Sequence, residues 1–172
     1  FKSIHAELPA QVARACQDAG VKRLLHMSAL QADASKGPSE YLRSKGAGEQ
    51  AVLKTAGLAV TCFKPSIIFA PDDSFFNQFA TLLRLGPVLP LACPNSRFAP
   101  VYVEDVAAAF EKALSDDSTI GQSYELCGPR VYTFKELVED IARMIGKKRW
   151  VVGLPDGLAR LQGRIFEKLP VK

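Results

Sequence analysis

The chain has 172 residues, 48% of them hydrophobic and 23% charged, with a formal net charge of +4. That length suffices for one domain or slightly more with a real core, and its dispersed Lys and Arg exclude a nucleic-acid footprint. No apolar run approaches the ~20 residues that span a bilayer and no secretory leader is visible. The cysteines at 16, 62, 93 and 127 stand without metal-type pairs. They predict free, mostly buried thiols in a reducing, cytoplasmic setting. The first residue is Phe1, already in helix-like sequence, so the chain reads as a segment whose beginning is absent.

Residues 5–19 predict a helix with Leu8, Val12 and Ala15/Cys16 on one face and Gly20 as its stop. Lys22 to Met27 is a short apolar run ending at Ser28-Ala29, which predicts a buried parallel strand. The C-terminal ends of such strands are where open α/β sheets place ligands. His26, mid-strand, reads as a satisfied structural histidine, and His5 as a surface or pocket-edge residue.

After a polar loop, residues 39–57 predict a helix capped by Ser39 and stopped by Gly57. Tyr41 and Lys45 lie four apart and so share a face. An ammonium one turn from a phenol favours the phenolate and suits proton transfer. Gly46 and Gly48 lower helix propensity and suggest a close neighbour against this backbone. Residues 59–63 predict a second buried strand that continues through KPSIIFAP. Helix, strand, helix and strand with short joins predict right-handed crossovers on a parallel sheet.

Beyond Pro71 the texture changes. Residues 74–85 predict a helix bearing Phe75, Phe76 and Phe79, then a Pro-punctuated loop from Gly86 to Pro100, read as a lid or substrate region. A strand at 101–103, a helix at 104–114 and a strand at 123–127 follow. Thr133 caps a helix to Ile145 with Glu136 in the capping-box position. Residues 149–152 predict a last strand. A final helix after Pro155 would carry the stripe Leu158, Leu161, Ile165 and Leu169 beside Arg160, Arg164 and Lys168, for core packing or docking on a membrane surface or partner.

With Ser28 at a strand end and Tyr41 and Lys45 on the next helix, the chain resembles the extended short-chain dehydrogenase/reductase family, the NAD-dependent epimerase/dehydratase group. The segments that carry the likeness are AGVKRLLHMSA, YLRSKGAGE, KPSIIFAP, PVYVEDVAAAF and YELCGPRVYTFKELVEDIARMIG, in family order across almost the whole chain. SALQADASKGPSEYLRSKGAGE and KPSIIFAPDDSFFNQF are most similar to an atypical branch. That branch includes the NADPH-binding accessory subunit of respiratory complex I and its bacterial homologues.

The resemblance implies an α/β fold: a Rossmann-like doubly wound parallel sheet, of which this is the C-terminal portion, with a smaller α/β substrate-binding region. Residues 1–71 would form the second half of the dinucleotide-binding domain and 72–172 the substrate region, with 101–127 returning to the Rossmann sheet. It implies NAD or NADP as cofactor, NADPH being favoured. Tyr41, Lys45 and Ser28 would be catalytic: Lys45 would bind the nicotinamide ribose, Tyr41 would pass a proton and Ser28 would hold the substrate oxygen. Lys64, Pro65, Ser66, Ile67 and Ile68 would line the cofactor with Tyr41 and Lys45. Ala29, Phe75, Phe76 and Arg97 would meet a carbonyl or nucleotide-sugar substrate.

The departures matter as well. The resemblance would place the Gly-rich phosphate loop upstream of this chain; the family's Asn falls on His5, Lys64 replaces an Arg and Ala70 a Gly. Three functions therefore stay open: an oxidoreductase or epimerase-like enzyme, a non-catalytic NADPH-binding subunit of a respiratory NADH dehydrogenase complex peripheral to the inner membrane, or a dinucleotide redox sensor. The partner would be a small molecule together with a membrane complex or a second copy, and not a nucleic acid.

Overall fold

The computed structural model describes residues 1–155, so the predicted final helix and its basic residues lie outside the described residues. The chain divides into two compact units, Phe1–Ile68 with Val101–Gly128, and Phe69–Pro100 with the described residues from Pro129 on.

Unit 1 opens on a π-helical turn, Ser3–Glu7, in which the Leu8 N–H reaches the Ser3 carbonyl. It runs on into α1 (Leu8–Asp18). The buried side of this helix is small: Ala13 is fully buried, while Leu8 and Val12 are exposed. The predicted Leu8/Val12 face is thus corrected, because size of side chain is a poor guide where a neighbouring helix comes close. That neighbour is α2 (Glu40–Leu53), capped by Ser39, whose hydroxyl accepts the Leu42 N–H. Positive φ at Gly20 and Gly57 carries the chain out of the two helices, as their positions predict.

The sheet of unit 1 is parallel, in the order β1 (Arg23–Met27), β2 (Ala59–Pro65) and β7 (Ser123–Leu126). The register pairs His26 with Cys62 and Cys62 with Ser123, so these three side chains share a face. That face packs Leu24, Val60 and Cys62 against Ala13 of α1 and Val52 of α2. On the other face Phe63 stacks at 4.4 Å on Phe110 of α4 (Val103–Leu114). Helices on both faces of a parallel sheet make a doubly wound fold. Arg23 ties the second face together, its guanidinium donating to Ala59 O, Thr61 Oγ1, Ala113 O and Thr119 Oγ1. The predicted strand through KPSIIFAP is interrupted: β2 ends at Pro65 and β3 (Ile68–Phe69) is separate.

Unit 2 contains α3 (Ser74–Leu85), β4 (Val88–Leu91), β5 (Arg97–Phe98), β8 (Tyr132–Thr133), α5 (Phe134–Met144) and β9 (Trp150–Gly153). The short strand β6 (Val101–Tyr102) belongs to unit 1. Residues 86–100 are not merely loop: β4 pairs in parallel with β9 and buries Leu91 in the core with Leu83, Val138, Ile141 and Val151. Thr133 and Glu136 form the full capping box expected at the start of α5.

Candidate functional site

The site grows from the C-terminal end of β1. After Met27 the backbone continues alongside β2, Ser28 N donating to Phe63 O at 2.7 Å and Leu30 N to Pro65 O at 2.9 Å. This buries Ser28 and Ala29. The Ser28 hydroxyl is buried with no hydrogen-bond partner. A hydroxyl in that state has forfeited solvation, which costs about 1–3 kcal/mol unless something else meets it.

Lys45 comes down from α2 beside it, its Nζ donating to Met27 O at 2.7 Å. Burial lowers the Lys45 pKa, and the Glu49 carboxylate one turn on opposes that shift. Tyr41, one turn earlier, is exposed rather than buried in the core. Its ring meets His5 edge-on at 5.1 Å and Phe1 at 6.1 Å. Ser44 steadies this edge: its hydroxyl donates to Tyr41 O at 2.7 Å, so the His5 Nδ1, 3.2 Å away, takes the donor role. Burial, and then the Lys45 charge, hold the His5 pKa below 6.5.

The residues expected to line a cofactor follow β2. Lys64 points under α2, its Nζ donating to Ala32 O at 3.1 Å and lying 3.9 Å from Glu49 Oε1. Pro65 is buried, Ser66 N bonds Leu126 O, and Ile67 O accepts Val101 N, so this stretch is held by its backbone on both sides. Ile68 begins β3.

Glu49 received no role from sequence, although it continues the four-residue line Tyr41, Lys45, Glu49. It is 92% buried by its 8% exposure, accepts from Ser123 Oγ at 3.0 Å, and leaves Oε2 without a partner. His26 likewise corrects its reading, because its Nε2 is buried and unpartnered.

The remaining predicted substrate residues lie in unit 2. Phe75 sits in an aromatic cluster with Phe76, Phe79, Phe98 and Phe134. Arg97 is exposed on β5 opposite Thr133. The cysteines are free, but Cys93 and Cys127 are exposed, correcting the expectation that most are buried. Burial pushes the Cys62 thiol up to about 12. Among the described residues no group of His, Cys, Asp and Glu is placed to hold a metal ion.

No protein-family model matches the chain. Over 157 residues it is 39% identical to the mitochondrial NADH dehydrogenase [ubiquinone] 1 alpha subcomplex subunit 9 of Arabidopsis thaliana, which covers 90% of this chain and 38% of that protein. The chain is similar to this subunit along most of its own length. It spans about two fifths of that relative's length. Its fold is that of a dTDP-glucose 4,6-dehydratase double mutant from Streptomyces venezuelae with NAD bound, with TM-score 0.76, 21% identity, and 91% and 55% of the two chains covered. A dTDP-4-dehydrorhamnose reductase from Bacillus anthracis in complex with NADP gives TM-score 0.74 and 20% identity over 91% and 59%. The chain therefore shares its fold with these two nucleotide-sugar enzymes.

Proposed function

We propose that this chain binds the nicotinamide side of a dinucleotide at the end of β1, with Ser28, Tyr41 and Lys45 as the working groups. The observation that carries the reading is the buried, unpartnered Ser28 hydroxyl beside the carbonyl that Lys45 grips. The group fits these residues: a ribose or carbonyl oxygen satisfies a stranded hydroxyl, and an ammonium supplies donors to ribose. A bound nicotinamide supplies hydride chemistry. Ser28 holds the substrate oxygen, Tyr41 moves a proton at its Oη, and Lys45 supplies positive charge one turn away. Pro65 to Ile68, fixed by backbone hydrogen bonds, form the wall. The dinucleotide is NAD or NADP, since structures of the same fold hold one or the other.

A second reading is a non-catalytic subunit that holds the dinucleotide while docked at the periphery of a membrane NADH dehydrogenase. Two observations favour it: Lys45 already commits one of its three N–H donors to Met27 O, and Lys64 is drawn under α2 by Ala32 O and Glu49. No helix among the described residues is long and apolar enough to cross a membrane.

Dinucleotide titration followed by nicotinamide fluorescence tests both readings. Lys45→Ala should weaken NADPH binding about tenfold, the worth of one charge-assisted hydrogen bond, and Ser28→Ala should slow carbonyl reduction while leaving that binding nearly unchanged. Tyr41→Phe should leave binding nearly unchanged and slow carbonyl reduction about 10²-fold. Binding unaffected by Lys45→Ala, or reduction unaffected by Ser28→Ala, would remove the site. Tight binding with no turnover, in wild type and in Tyr41→Phe alike, would select the accessory-subunit reading.

A further inference from the structure

Unit 2 carries a half-open cavity of about 500 Å³, within the ~300–1,000 Å³ of small-molecule sites. Its wall is mostly hydrocarbon: Phe76 and Ala80 from α3, Leu137, Ile141 and Met144 from α5, and Phe69 ahead of α3. Apolar surface of this kind is poorly served by water and gains when a hydrocarbon replaces it.

Most of the polar side chains on the wall are already engaged. Asn77 Nδ2 donates to Pro71 O at 2.9 Å and to Asp73 O at 2.8 Å. The Asp73 carboxylate caps α3 by accepting Phe76 N at 2.6 Å. Asp140 is ion-paired with Arg143. A sugar or a nucleobase placed here would bury hydroxyls or ring heteroatoms against partners already committed, at the cost of stranded polar groups.

Arg130 differs. It lines the same cavity, and its guanidinium stands 4.5 Å over the Tyr132 ring. Among the described residues no carboxylate lies within ion-pair distance of it. A guanidinium held over a ring without a carboxylate partner keeps its N–H donors for a planar or tetrahedral oxyanion. Glu136 is held below its usual range first by its bonds to Thr133, and further by the charges of Arg130 and Arg97.

We infer that unit 2 binds a single-chain amphipathic anion, its hydrocarbon in the α3/α5 cavity and its acidic head group on Arg130. The shared chemistry is an alkyl chain ending in anionic oxygens, whether from a free carboxylate or from a phosphate ester. All the contributing residues lie within unit 2, so this site stands or falls separately from the dinucleotide site at the end of β1.

Isothermal titration of the full chain with decanoate, decyl phosphate and decanol tests the inference. Both anions should bind at one per chain, and decanol about tenfold or more weaker, the scale of a charge-assisted hydrogen bond. Arg130→Gln should reduce the anions to the affinity of decanol. Ala80→Leu, and Met144→Trp at an exposed lining position, should weaken all three ligands, with thermal melting showing that each variant is folded. The anion that binds tighter names the source, carboxylate or phosphate. Decanol binding as tightly as decanoate, an Arg130→Gln variant that keeps the preference for anions, or a nucleoside diphosphate outbinding both anions would overturn it. NADPH binding should be unchanged in Arg130→Gln, which separates a failure here from a failure of the dinucleotide reading.

Discussion

His26 shows how a single residue ties the site to stability. It lies on β1 with Cys62 across the register, beneath α2, and its Nε2 is buried without a partner. Burial, and then the Lys45 charge, lower its pKa from 6.5, while Glu49 pulls the other way. His5 is lowered as well. A histidine depressed in the folded state takes up a proton more readily when unfolded, so folding is favoured above pH 6.5 and loses ground as pH falls through that value. The depressed carboxylates Asp33, Asp116 and Glu136 act in the same sense, but only below their ordinary values of 3.8 and 4.5. Between pH 6.5 and 4.5 the histidines therefore act almost alone. Urea midpoints measured through that window should fall in the wild type and hold nearly level in a His5→Gln/His26→Gln double variant. Equal slopes in the two proteins would mean that neither ring is desolvated by the fold. Sequence placed His26 on a buried strand, but its missing partner depends on which residues face it from β2, β7 and α2, and that register is not written locally.

At the scale of elements, local chemistry was the most legible. Ser39, Thr133 with Glu136, and Gly20 and Gly57 mark helix ends that the structure keeps. Non-local pairing was not legible. β4 finds its partner in β9, Val88 facing Trp150, and nothing between Gly86 and Pro100 announces a strand that is completed so far along the chain. The glycines of α2 bridge the two cases, since sequence signalled a close neighbour without naming it. A Cβ on Gly48 would stand 2.0 Å from His5 O, and one on Gly46 would stand 2.5 Å from Ala34 N. Both contacts are with backbone, which has little room to yield. In an open helix Gly→Ala stabilises by about 0.5–1 kcal/mol. Here overpacking should reverse the sign, so Gly46→Ala and Gly48→Ala should each lose about 1–3 kcal/mol in chemical denaturation. Because Gly48 holds the turn that presents His5 to Tyr41, the second variant should also disturb the site edge. A gain in stability for either variant would show that the approach of these segments is looser than the structure has it.

For the whole molecule, the two hydrophobic clusters share no residue. One holds Ala13, Val52, Leu58, Val60 and Cys62 in unit 1, and the other holds Ala80, Leu83, Leu91, Val138, Ile141, Ala142 and Val151 in unit 2. The doubly wound character of the first was legible because its strands are short apolar runs alternating with helices. The second was less so, since its core is drawn from segments on either side of an excursion, 101–128, that returns to unit 1. Separate cores predict separate cooperative units, which native-state hydrogen exchange resolves. Leu83 and Val52 are both fully buried, one in each cluster. Leu83→Ala should cost about 2–5 kcal/mol through its cavity and raise exchange of the α3 and α5 amides, while the amides of β2 keep their protection. Val52→Ala should cost about 2 kcal/mol and do the converse, loosening β2 and α2. β2, flanked by strands on both sides, should retain the slowest amides of unit 1, since each edge strand leaves half its backbone groups unpaired by the sheet. If either substitution raised exchange equally in both cores, the chain would unfold as one body, and binding at the end of β1 would then be linked to the state of the α3/α5 cavity through stability alone.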